Sequence, residues 1–359
     1  MKRILVILIV VLSAQNAWGA EANTSDSCTA SGGLVFVCGP ANAEDLVLVP
    51  DTHWVLSSGM LPGGGIYLVD TQRKTWSQKF DGRPNAVEHD VTTYGQCPGP
   101  PVLETFNSHG MHIRAGADKH STLYVVGHGG REAIEVFDVD ASLVEPKLTW
   151  VGCVPMPNNY EANSVVSLND GSLLATVLMH PGQTYSEVFS GKITGAVYKW
   201  KKGSEGFEKI PGTELPGNNG IEISNDESEI YVVSTGLGSI SAFSHTNPAK
   251  LLRATKTFDY GPDNIHMTAD GQLITAGPSQ VDHACGELDL ASFDLGAFAS
   301  CPKASVVGIV DPRTMKETKR FTRPANDSFS NATMALQVGD DVWVGTFHGN
   351  RIGIMPSAD

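Results

Sequence analysis

Short runs that alternate apolar and polar residues fill the chain from about residue 33 onward, interrupted every few positions by Gly, Pro, Asn or Asp. DLVLVP, TLYVVG, VVSLND, GAVYKW, GSISAF and RIGIMP show the period of two expected of strands with one buried face. Long stretches rich in Ala, Glu, Lys and Leu are missing, which excludes an all-α fold.

The strands recur in a common register. A polar residue opens a short strand, an Asp follows about seven places on, and a second, more apolar strand comes next. Glu44 opens EDLVLVPDTHWVLSSG, Asn163 opens NSVVSLNDGSLLATV and Asn219 opens NGIEISNDESEIYVV. Asn264 opens NIHMTADGQLITAG, Thr333 opens TMALQVGDDVWVGTF, and HGMHIRAGADKHSTLYVV from His109 fits with a slightly longer turn. The openings stand 65, 54, 56, 45 and 69 residues apart. Six units of this size, each a hairpin followed by further strand-like text, predict an all-β fold: a six-bladed β-propeller over residues 33–359. GLVFVCG near the start is expected to close the ring beside the final strands. Two packed β-sandwiches would leave the shared register unexplained. Since the innermost strand of each blade lines the central channel, the openings should converge at one mouth. They are Glu44, His109, Asn163, Asn219, the pair Asp263–Asn264 and a region near Thr333.

Composition narrows the compartment and the partners. Lys2 and Arg3 precede the apolar run Ile4 to Leu12 and a small-residue region, the order of a secretory signal peptide over residues 1–20, with the cut falling between 19 and 22. The run is too short for a membrane span of about 20 residues. A mature protein is therefore expected to be exported, periplasmic or secreted, with no stable membrane insertion and a short segment at 21–32 before the ring. Six cysteines then meet an oxidising environment as disulfides, and Cys285 with Cys301, bracketing a Gly/Ala/Asp-rich insertion, are the expected pair. The net charge of -14 and pI near 5.2 argue against nucleic acid as a partner.

The converging openings form a ring of hard oxygen donors with one imidazole. Calcium takes six to eight such oxygens, and Glu44 and Asp263 would neutralise a divalent cation, making a central-channel metal site. Asx-turns would account for any single Asn here, but turn chemistry requires neither a Glu at one opening nor adjacent Asp and Asn at another.

At this point the residues resemble a family. AEDL (43–46), FNSHG (106–110), YVVGH (124–128), NSV (163–165), NNGIEIS (218–224), PDNI (262–265) and VGTFHGNRI (344–352) look like the paraoxonase and SMP-30/gluconolactonase group. These are six-bladed propellers that hydrolyse lactones and esters with calcium in the central channel. The resemblance implies that Glu44, Asn163, Asn219, Asp263 and Asn264 hold a catalytic Ca2+ and that His109 and His128 form a histidine dyad. It also carries a second, structural calcium; Asp45 matches one of its ligands, while Ser164 stands where another would be Asp. The expected function is hydrolysis of a small lactone or carboxylic ester. The metal would polarise the carbonyl, and either His109 or a ligand carboxylate would activate water, with His128 orienting or relaying. A non-catalytic propeller that binds a ligand or partner protein through the same face is the competing expectation.

Overall fold

Six four-stranded antiparallel sheets follow one another along the chain and close into a ring. The computed structural model describes residues 28–80, 82–281, 285–286 and 292–356, so the expected leader at 1–20 lies outside the described residues. The six innermost strands are β2 (Leu46–Leu48), β6 (Asn107–Ala115), β10 (Ala162–Ser167), β14 (Asn218–Ile223), β18 (Ile265–Met267) and β22 (Ala332–Val338). Each inner strand touches the next around the circle, and β2 touches β22, so the channel wall is complete.

In five blades the strands run outward in chain order. The sixth is composite: β1 (Val35–Cys38) pairs with β24 (Arg351–Met355) and supplies the outermost strand, as GLVFVCG predicted. Between the sheets lie Val, Leu and Ile side chains with no exposed surface, such as Leu56, Ile66, Val125, Leu173, Val232 and Val344. Each contributes roughly 1.5–3 kcal/mol on burial. Trp150, Trp200 and Trp343 fill the largest spaces, while Trp54 is only partly covered.

The recurring Asp belongs to the turns leaving the inner strands. Asp170 accepts from the Ser172 amide at 2.8 Å and Asp226 from the Ser228 amide at 3.1 Å, closing Asx-turns. That part of the repeat is therefore turn chemistry.

The openings behave differently. The ladder between inner strand and neighbour slips between Ser108 and Met111, between Ala162 and Val165, between Asn218 and Ile221, and between Ala332 and Ala335. His109, Asn163, Asn219 and Thr333 each fall in one of these irregularities. Such a bulge re-aims a side chain that regular pleating would place otherwise.

Three disulfides, Cys28–Cys38, Cys97–Cys153 and Cys285–Cys301, fit an extracellular protein, and the last is the pair expected from sequence. Among the described residues no helix is long and apolar enough to cross a membrane.

Candidate active site

Glu44, at the entry to β2, is buried to 1% exposure, and its Oε1 accepts from Asn264 Nδ2 at 2.5 Å. His109 Nε2 lies 3.7 Å from the same oxygen. Asn219 on β14 donates from Nδ2 to Thr235 Oγ1 at 2.9 Å, and Asp263 stands immediately before Asn264 and β18. Hydroxyl groups hold the backbone beneath these residues. Thr333 donates to Glu44 O, Thr176 to Asn219 O and Thr275 to Asn264 O, at 2.6, 2.6 and 2.7 Å.

Asn219 and Asn264 spend their NH2 groups on protein acceptors, which turns both amide oxygens away from those contacts. Glu44 Oε2 and the Oδ1 atoms of Asn163, Asn219 and Asn264 are all buried without a hydrogen-bond partner. Leaving one such oxygen unmet costs about 1–3 kcal/mol, so four at one channel mouth call for a common partner. The carboxylates make the same demand. Burial, with the nearby Asp263 and Asp45 charges, holds the Glu44 carboxyl well above its usual range, against Asn264 and His266, which lower it. Burial also pushes Asp263 up to about 7, against a hydrogen bond from Asn219 and with the Asp45 charge adding to the rise. A divalent cation fits this donor set: two carboxylates and three amide oxygens, all hard. No cluster of three His, Cys, Asp or Glu side chains suited to a metal occurs among the described residues. The ring relies instead on amides for most of its donors.

Close approach of β14 and β18 depends on a missing side chain. A Cβ on Gly220 would lie 2.6 Å from Asp263 O and 2.8 Å from Asn264 Cα. Gly220→Ala should therefore force β14 from β18, cost about 1–3 kcal/mol of stability and spread Asn219 from Asp263. Denaturant melts and calcium titrations of the variant would measure both effects.

The sequence profile described as "SMP-30/Gluconolactonase/LRE-like region" matches residues 67–285, more than half of the chain. The chain belongs to this family. SMP-30/gluconolactonase proteins include gluconolactonases, which are hydrolases. No curated protein matches the chain by sequence. Among solved structures, a luciferin-regenerating enzyme superposes with a TM-score of 0.54 at 11% identity, covering 89% of this chain and 95% of that one. A protein assigned as a gluconolactonase gives 0.53 at 12%, covering 89% and 91%. The calcium-binding protein regucalcin from Agrobacterium tumefaciens gives 0.52 at 10%, covering 88% and 90%. At these identities the likeness speaks for the fold alone.

A second charged layer lies deeper in the channel of this SMP-30/gluconolactonase member. Asp45 accepts from the Leu46 amide at 2.8 Å, from the Met111 amide at 2.6 Å and from His266 Nε2 at 2.9 Å. His266 Nδ1 lies 3.7 Å from Glu222 Oε2. Burial works against a charge on His266, yet Asp45 and Glu222 outweigh it and push the imidazole up to about 10. The second, structural ion expected from the resemblance does not fit here. Asp45 is spent on three donors, an imidazolium supplies the positive charge, and Ser164 brings no carboxylate, its amide donating to Thr176 Oγ1 at 3.1 Å.

The register of the repeat does not by itself single out Glu222, His112 or His266. The bulges explain why. On β6 and β14 one inserted residue shifts the inward positions to an offset of three, from His109 to His112 and from Asn219 to Glu222. On β18 the offset from Asn264 to His266 is the ordinary two. His112, Glu222 and His266 accordingly line the lower mouth together. His348 lies on the rim beside Asn350, and His283 falls outside the described residues. Glu132 was also missed. It follows His128 by four residues across Gly129–Gly130, and its Oε2 sits 2.5 Å from His128 Nδ1.

Proposed function

We propose that the protein is a calcium-dependent hydrolase of lactones and related carboxylic esters, acting in an extracellular or periplasmic compartment. The observation that carries this reading is the set of four buried, unpartnered oxygens, three from amides and one from Glu44, gathered beside the Asp263 carboxylate and the His109 imidazole. Glu44, Asn163, Asn219, Asp263 and Asn264 would hold the ion. When bound, it would polarise the substrate carbonyl and stabilise the oxyanion.

The remaining work falls to the chain's own groups. Burial, with the His128 ring nearby, pulls His109 down to about 3: its imidazole is neutral at physiological pH with a lone pair open, and its low basicity means that proton transfer needs a partner to take up the positive charge. His109 Nε2, at the edge of the oxygen ring, takes the proton of the attacking water. The same nitrogen returns it to the leaving alcohol oxygen.

Aromatic rings indicate what the substrate carries beyond its carbonyl. Tyr185 and Phe189 on α1 (Tyr185–Phe189) stand 5.4 and 4.9 Å from Phe293, Phe293 stands 5.5 Å from Phe298 on α2 (Leu295–Ser300), and Phe298 stacks 6.5 Å from Phe347. The arc begins near Asp263, whose charge joins burial in raising the Tyr185 hydroxyl to about 12. It ends next to Thr346, which donates its amide to Ala43 O at 2.7 Å, one residue before Glu44. Such a rim suits alkyl or aryl groups better than a polyhydroxylated sugar.

A pH-stat screen of alkyl γ- and δ-lactones, gluconolactone and phenyl acetate is the direct test. Alkyl lactones should exceed gluconolactone in kcat/KM by about tenfold or more. Activity should vanish in EGTA and return with calcium. Turnover that survives full chelation would sink the metal reading, and absence of turnover on every ester with calcium bound would leave a binding propeller.

A further inference from the structure

The geometry points to Glu132 as the residue that fixes the proton positions on His109 and His128, making the pair a directed three-residue relay. Its catalytic consequence rests on the hydrolase reading; the proton positions do not.

The loop between β7 (His120–His128) and β8 (Ala133–Asp140) is built to return Glu132 to His128. Gly129 has φ +81, and a Cβ there would fall 2.0 Å from Thr105 O, so the tight path demands glycine. The far side of the loop is anchored. Glu132 O accepts from the Met156 amide at 2.9 Å, and Arg131 grips Glu135 through two bonds of 2.8 Å. Glu135 is itself tied to Trp150 Nε1 at 2.8 Å.

A carboxylate only accepts, so the 2.5 Å contact between Glu132 Oε2 and His128 Nδ1 places a proton on that nitrogen. A neutral His128 then bears a lone pair on Nε2. His109 Nδ1, 3.1 Å from it, must donate. A neutral His109 is left with a bare Nε2, the atom that lies 3.7 Å from Glu44 Oε1 at the oxygen ring. With Glu132 ionised, the neutral pair has one hydrogen-bonded arrangement, and it aims the free lone pair at the site. Reversing either tautomer would set two lone pairs or two N–H groups against each other.

The same chain disposes of charge during turnover. As the water oxygen bonds to the carbonyl carbon, the C=O π pair moves onto the carbonyl oxygen, the water's O–H pair stays on its own oxygen, and the proton joins His109 Nε2. The Nδ1 proton of His109 then passes to His128 Nε2. His109 becomes neutral with its proton on Nε2, and His128 becomes an imidazolium paired with Glu132. When the oxyanion pair re-forms C=O, the bond to the leaving oxygen breaks with its pair on that oxygen; return of the proton to it runs the transfers backward, and no outside acid or base is consumed. Glu132 is thus a positioning residue that acts through His128.

Histidine-selective 15N labelling of the full mature chain tests this without turnover. Long-range 1H–15N spectra should show both His109 and His128 protonated on Nδ1, whether or not calcium is present. In Glu132→Ala the His128 preference should collapse to a tautomer mixture, with Glu132→Asp restoring most of it. Glu132→Gln preserves size should the alanine variant fold poorly; its amide can donate as well as accept, so it too should weaken the preference. On the best lactone, Glu132→Ala should lose kcat about 10–100-fold with KM within about twofold. The loss should not add to that of His128→Gln. An Nε2-protonated His128 in the unmodified protein, unchanged tautomers in Glu132→Ala, or additive losses would each overturn the assignment. A wild-type protein inactive on every ester would reject the hydrolase reading and leave the spectra to decide the relay.

Discussion

Asp263→Asn should abolish calcium-stimulated lactone hydrolysis, lowering kcat/KM by about a thousandfold or more, while leaving the calcium-free protein at least as stable as before. The two effects have opposite signs because the carboxylate is useful only with a cation beside it. Without one, Asp263 and Glu44 crowd two acidic groups into a buried mouth that also feels Asp45, and both carboxyls are driven above their usual range. Removing one charge relieves that repulsion. With calcium at about a hundred times its Kd, the unmodified protein should gain about 2.7 kcal/mol from binding, and the variant should gain far less. Thermal melts with EGTA and with excess calcium, run beside the kinetic assay, would show it. A variant that keeps the full calcium-induced rise in Tm would remove Asp263 from the ligand set.

The second large effect belongs to the lower layer. His266→Leu should destabilise the fold by about 3–5 kcal/mol, because it leaves Asp45 and Glu222 buried without their shared counter-charge. Asp45 has no exposed surface and Glu222 only 5%, so water cannot take over. Urea melts in EGTA isolate the effect from calcium binding, and His266→Gln, which can still donate one hydrogen bond, should fall between the two. Unchanged stability in His266→Leu would show that the carboxylates have another source of compensation.

These two layers also mark how far the sequence could be read. Glu44, Asn163 and Asn219 were visible because each opens a unit of a repeat, and repetition survives sequence drift in the sheets. Blade number followed from the same register, and the closing strand from the need of a ring to close. Bulges were invisible, since an inserted residue has no fixed composition, and with them went the offset that brings Glu222 into line with His266. Glu132 escaped for another reason. A Gly-Gly-Arg-Glu turn reads as an ordinary polar loop, and only the three-dimensional path shows that its carboxylate doubles back onto the preceding strand's last residue. Asp170 and Asp226 were the reverse case: conspicuous in sequence, yet engaged in local hydrogen bonding.

The composite sixth blade makes ring closure the expected last step of assembly. β1 pairs with β24 across more than three hundred residues of intervening chain, the longest connection in the ring. Five blades can form as they leave the ribosome or a membrane pore, but the circle stays open until the last strand arrives. Glu44 and Asn264, which bond directly in the closed ring, enter the two blades that flank the sixth, so closure is expected to bring them together. Binding of the proposed ion and final closure are consequently expected to coincide, when the first and last strands are zipped together.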